Sequence, residues 1–143
     1  MSSVKLAAAL VLALIAVLTV GTAESQTTFT VTATGTTDYR INNVNDPTLE
    51  LTRGETYTFN ISAAGHPFWI KTVASPGTGN AFTNGVTGNG TEVGTLTFVV
   101  PMNAPATLHY NCEFHSPMTG TINIVNPVAV RPDSWGKLKH RYL

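Results

Sequence analysis

The amino-acid sequence predicts an all-β domain, a sandwich or barrel. Three observations point there: apolar and polar residues alternate with period two, threonine is abundant within the alternating runs, and Gly, Pro, Asn and Asp punctuate them. No window of the domain shows a helical period. The first run is Phe29-Thr30-Val31-Thr32-Ala33. Leu49-Glu50-Leu51-Thr52 and Thr56-Tyr57-Thr58-Phe59-Asn60-Ile61 follow, and Arg53-Gly54-Glu55 between them predicts a tight turn joining the two as a hairpin. Phe68-Trp69-Ile70-Lys71 is a short apolar strand. Residues 74–94 carry Gly77, Gly79, Gly85, Gly88, Gly90 and Gly94 and predict a long loop with one short irregular element. Thr95-Leu96-Thr97-Phe98-Val99, Thr107-Leu108-His109-Tyr110 (ending at Cys112) and Thr121-Ile122-Asn123-Ile124-Val125 complete the set.

The ends read differently. Lys5 precedes an apolar run, and small residues follow at Thr22-Ala23, the pattern of an export signal. Leu6 to Val20 is shorter than the ~20 residues a spanning helix needs, so residues 1–23 are expected to be a cleaved signal peptide rather than a retained anchor. Residues 24–126 then form one domain of ordinary size, secreted to a periplasm or the cell exterior and expected to be a monomer. Residues 127–143 form a basic tail. It leaves through Pro127 and Pro132, and Asp133 or Ser134 suits the cap of a short helix carrying Trp135, Leu138 and Tyr142. Its Arg131, Lys137, Lys139 and Arg141 oppose only Asp133, which suggests contact with a membrane surface or a protein. Over the whole chain Lys+Arg 8 balance Asp+Glu 8, so nucleic acid is not an expected partner.

The chemistry concentrates in Tyr110-Asn111-Cys112-Glu113-Phe114-His115-Ser116-Pro117-Met118-Thr119-Gly120. Singly, each donor has a plainer reading: Cys112 as a small buried hydrophobe, Met118 as core filler, His115 as a surface residue. Together a thiolate, an imidazole and a thioether at Cys-x-x-His-x-x-Met spacing form a soft ligand set that suits copper. His66, in Gly65-His66-Pro67-Phe68-Trp69-Ile70, offers a second imidazole. Export strengthens the argument. A lone cysteine in an oxidising compartment has no disulfide partner, and a metal–thiolate bond would occupy it.

These residues resemble the cupredoxin (blue copper) family, over roughly Thr27 to Val125, and the ligand loop is most similar to that of the amicyanins. The resemblance implies a Greek-key β-sandwich of about eight strands. It also implies one copper ion cycling between Cu(I) and Cu(II), with His66, Cys112, His115 and a weak axial Met118 as metal ligands. The implied role is a single-electron carrier, not an enzyme, with the His115 edge as electron port and redox partner proteins docking there. Pro67, Phe68, Phe114, Pro117 and Met118 could make an apolar patch around that port. Two other readings compete: a copper-binding adhesion or interaction module, and a copper capture or delivery protein.

Other candidates read as bystanders. Alternation puts His109 on the face opposite Tyr110 and Cys112; His140 lies in the tail, and Glu113 is expected to point outward. There is no His-x-His pair for further coppers, no second cysteine, and no Ser/His/Asp set. Asn60-Ile61-Ser62 and Asn89-Gly90-Thr91 match the N-glycosylation pattern, with Asn89 expected in an exposed loop.

The departure from the family is Pro67. Many members carry Asn there, and its backbone N–H donates to the thiolate; proline has no N–H. Fewer donors leave more electron density on sulfur and favour Cu(II). Pro67→Asn should therefore raise the reduction potential, as read by redox titration, and an unchanged or lowered potential would refute the argument.

Overall fold

The structure, a computed structural model, describes residues 27–128. The expected signal peptide and the tail beyond residue 128, including its predicted helix, lie outside the described residues. Ten strands form: β1 Thr28–Thr34, β2 Asp38–Ile41, β3 Val44–Asn45, β4 Leu49–Thr52, β5 Thr56–Ser62, β6 Phe68–Lys71, β7 Val86–Thr87, β8 Val93–Val99, β9 Thr107–Cys112 and β10 Thr119–Val125. Eight have four residues or more, as the resemblance implied, and β3 and β7 are two-residue additions. The long loop indeed holds a single short element, β7.

Two sheets face each other. One runs β3-β2-β1-β5-β8-β7 and the other β4-β10-β9-β6. Alternation explains the core between them. Phe29, Val31, Tyr57, Phe59, Ile61, Leu96 and Phe98 point inward from the first sheet; Leu49, Leu51, Phe68, Ile70, Leu108, Tyr110, Ile122 and Ile124 do so from the second, and all are buried. An aromatic row crosses the interior, Phe29 on Phe59 at 5.0 Å, Phe59 on Phe68 at 5.6 Å, and Phe68 on Tyr110 at 5.5 Å. Each buried ring contributes ~1.5–3 kcal/mol by leaving water, and each ring pair about 0.5–1.5 kcal/mol more.

One expected connection is corrected. Arg53-Gly54-Glu55 is a turn, but it does not close a hairpin. β4 pairs in parallel with β10, whereas β5 pairs with β1 and β8 in the other sheet. The turn residues bond to other segments instead. Arg53 N donates to Val125 O at 2.9 Å and Gly54 N to Val100 O at 2.9 Å. The Arg53 guanidinium reaches Ile124 O, Asn126 Oδ1 and Ala104 O. Local alternation cannot show this, because β4 and β5 must each bury a face and can do so from opposite sides of the sandwich.

Two features bear on stability. Tyr110 leans across β10 so that its hydroxyl donates to Pro47 O at 2.8 Å. Its ring occupies the space where a side chain at Gly120, its cross-strand partner, would stand. Beyond the β2–β3 turn, Asp46 folds back on β2: its N donates to Tyr39 O at 2.8 Å and its Oδ1 accepts from Tyr39 N at 3.0 Å. Burial pushes the Asp46 carboxyl up to about 6; the Tyr39 N–H works against this, and the nearby Asp38 adds to it.

Gly120→Ala is expected to displace the Tyr110 ring and lower unfolding free energy by about 1–3 kcal/mol, the usual cost of overpacking; urea denaturation measures it. The raised Asp46 pKa means that folding penalises the charged carboxylate. That contribution favours the fold below the unfolded value of 3.8 and is lost as pH rises toward about 6. Asp46→Asn keeps the acceptor for Tyr39 N, so melting profiles across this window should flatten and the neutral-pH melting temperature should not fall.

Candidate metal centre

The site forms at one pole, where two different connections meet. The first is the corner from β5 to β6, which crosses between sheets. Its turn needs Gly65, whose φ of 81° is a left-handed conformation that glycine adopts without strain. Gly65 N donates to Glu92 Oε2 at 2.8 Å and His66 N to Ala63 O at 2.9 Å, so the backbone on both sides of the turn is fixed. The second connection is the β9–β10 hairpin with loop 113–118. Cys112 N donates to Met118 O at 2.9 Å and Met118 N to His115 O at 3.3 Å. The buried Asn111 amide braces the neck of this loop, donating to Cys112 O at 3.0 Å and Met118 O at 3.4 Å. Pairing of β6 with β9 sets Phe68 opposite Cys112 and brings the two connections together.

Three donor atoms converge there. His66 Nδ1 and His115 Nδ1 are 3.1 Å apart, and Cys112 Sγ lies 3.9 Å from the first and 3.5 Å from the second. The centre of the circle through these atoms is roughly 2 Å from each, the range of imidazole and thiolate bonds to a metal such as zinc (~2.0–2.3 Å). A triangle of two imidazole nitrogens and one thiolate matches the trigonal set of a blue-copper site. Cys112 is buried and both histidines are half-buried, so water has limited access. Met118, fully buried, ends the loop. The residues present thus fit a copper ion.

The surroundings were not legible in the sequence. Lys71 is fully buried at the end of β6, and its ammonium donates to Ser75 O at 2.6 Å and to Gly77 O. Gly77 N donates to Glu113 O at 2.6 Å, and Glu113 N to Pro67 O at 3.1 Å. Lys71 therefore ties the loop after β6 to the cysteine-bearing loop. Burial lowers the proton affinity of its amine, while the negative charges of Glu113 and Cys112 act the other way. Alternation puts Lys71 on the outer face of β6 with Trp69, where a lysine is unremarkable, so nothing local marks its burial. No backbone N–H among the described residues donates to Cys112 Sγ, in keeping with Pro67.

Several expectations change. His109 is half-buried and outside the converging set. The Glu113 carboxylate is also outside it, accepting from Trp69 Nε1 at 3.1 Å rather than pointing freely outward. The apolar patch is smaller than expected: Phe68 and Met118 are 0% exposed and Pro67 is buried, which leaves Phe114, 60% exposed, and the exposed Pro117. Aromatic packing across the sandwich draws Phe68 inward. Asn89 is not a free loop residue: its Oδ1 accepts from Ile70 N at 2.8 Å and its Nδ2 donates to Phe82 O at 3.0 Å.

No protein-family model matches the chain, and no curated protein matches it. Solved structures do. A rusticyanin variant superposes with a TM-score of 0.51 at 21% identity, over 71% of this chain and 80% of that one. Rusticyanin from Thiobacillus ferrooxidans gives 0.50 at 21% identity, over 71% and 79%. A further rusticyanin, described as a copper protein, gives 0.51 at 21% identity, over 71% and 80%. The chain has the cupredoxin fold.

Proposed function

We propose that this chain is an exported mononuclear copper protein that carries single electrons. His66, Cys112 and His115 serve as the close ligands and Met118 as a weak axial one. The observation that carries the reading is the triangle of two Nδ1 atoms and one Sγ, whose centre lies at bonding distance from all three. Rusticyanin, which shares the fold, is described as a copper protein, and that agrees with the reading.

Bound copper supplies a one-electron couple. The chain supplies a site whose geometry need not change with oxidation state. Cys112 is held by β9, His66 by a corner hydrogen-bonded on both sides, and His115 by a closed hairpin loop. Ligands held this way cannot relax toward one oxidation state, so little reorganisation accompanies transfer. Phe114 and Pro117 flank His115 and are exposed. A redox partner protein docks there, where a small apolar surface suits brief contact and the His115 ring is the shortest way in. The domain itself performs no catalysis. Export follows from the leader pattern and gives the lone Cys112 a metal to occupy it in an oxidising compartment.

Adding Cu(II) to the full chain should give an intense thiolate-to-copper band in the visible and narrow copper hyperfine splitting by EPR. Both should vanish in Cys112→Ala. A colourless wild-type protein, or a band that survives this substitution, would overturn the assignment.

A further inference from the structure

Asn60 interrupts a surface of hydroxyl side chains. It stands in the middle of β5, on the outer face of the six-stranded sheet, exposed, with the buried Phe59 and Ile61 on either side. Directly across from it are Thr30 of β1 and Thr95 of β8, both exposed. The next outward positions along β5 are Thr58 and Ser62. Strands favour threonine and disfavour asparagine, and the Asn60 side-chain amide makes no hydrogen bond among the described residues. Neither packing nor hydrogen bonding within the fold therefore calls for an asparagine here. It does head the triplet Asn60-Ile61-Ser62, whose serine lies two positions on and on the same face. Asn89 heads the other such triplet and is its opposite. It is half-buried, and both ends of its amide are engaged, by Ile70 N and by Phe82 O.

We propose that Asn60 is an N-glycosylation site and that Asn89, despite the same acceptor pattern, is not. The pattern alone does not separate them; the fold does. The inference rests on the export reading above, since the sugar is added along a secretory route. In the transfer, Asn60 Nδ2 bonds to the anomeric carbon of a lipid-linked oligosaccharide. The bond from that carbon to a phosphate oxygen breaks, the lipid phosphate leaves with the electron pair, and the amide gives up one proton. β5 is paired along both sides, by β1 and β8. A strand held this way cannot bend into a transferase, so transfer precedes folding, and the fold decides which product it tolerates. At Asn60 the sugar projects into solvent, and the hydroxyls of Thr30 and Thr95 flank it. No outward position of β1, β5 or β8 is charged or aromatic. A bulky hydrophilic group suits such a surface. At Asn89 the sugar would grow from an amide clamped at both ends, and accommodating it breaks the bonds that join residues 82–89 to β6. Cys112 belongs to the other sheet, so the copper band serves as an independent control.

The test expresses the full chain in a eukaryotic secretory host, alongside Asn60→Gln and Ser62→Ala, which change only exposed side chains. Secreted wild type is expected to carry a single oligosaccharide. Peptide N-glycosidase should remove it, and mass spectrometry should map it to the peptide that contains Asn60, with Asn89 bare. Each variant should be secreted at the polypeptide mass, with the cooperative melting and the copper band of the wild type. A secreted, cooperatively melting wild type that is bare at Asn60, or that carries its oligosaccharide on Asn89, overturns the proposal. A second form, residues 24–143 behind the host's own leader, separates this outcome from a failure of the export reading. Should only that form be glycosylated at Asn60, the export reading falls and the site stands. Should that form also be bare at Asn60, the site falls. A glycosylated protein without a thiolate-to-copper band sinks the copper reading alone and supports the site.

Discussion

The metal centre depends on one register: β6 against β9, with Phe68 opposite Cys112. A slip by one residue would turn every side chain of β6 to the other face. Phe68 and Ile70 would leave the core, and the His66 corner would no longer reach the hairpin. The register is secured twice, by the aromatic row that Phe68 joins and by Glu113 N on Pro67 O. Packing energy spent on the core is thus the same energy that places the ligands. That coupling suits the electron-carrying role proposed above, in which the site would stay fixed while its charge changes.

Around this register the polar groups form a closed arrangement. Among the described residues no buried side-chain nitrogen or oxygen lacks a partner. Lys71, Asn111, Tyr39 and Tyr110 each reach a backbone carbonyl beyond their own strand. Buried polar groups are costly unless satisfied, so each of these bonds also tells one loop where to lie. Lys71 ties the loop after β6, Asn111 the ligand hairpin, and Tyr110 the turn before β4. The centre is therefore held from three directions by side chains that touch no metal.

Much of this was readable from residue order, for identifiable reasons. Strands were legible because inward and outward positions alternate, and the hairpin donors because Cys112, His115 and Met118 lie close together in sequence. The pairing of strands was not legible: β4 and β5 look like a hairpin locally, and only the sandwich sends them to different sheets. Tyr39 reads as one more inward aromatic of β2, since nothing local shows that its hydroxyl meets a corner 27 positions away. Phe68 looked as suited to a surface patch as to the core. Its fate was decided by rings from distant strands.

Asn89 has a consequence for how many copies of this protein can share a small volume. β6 is an outer strand, and its free side would offer unpaired amides to a neighbouring molecule. The segment from Phe82 to Thr91 covers it: Asn89 takes the Ile70 amide, Thr91 O takes the Phe68 amide, and Phe82 and Gly90 donate to the carbonyls of Ile70 and Phe68. The other sheet ends at β3 and β7, each only two residues long. Strand-to-strand pairing is thereby blocked along β6 and limited in length at β3 and β7; the remaining edge is the four-residue β4. For the electron-carrying role proposed above, this protection would let encounters with partners be frequent without self-pairing along these three edges.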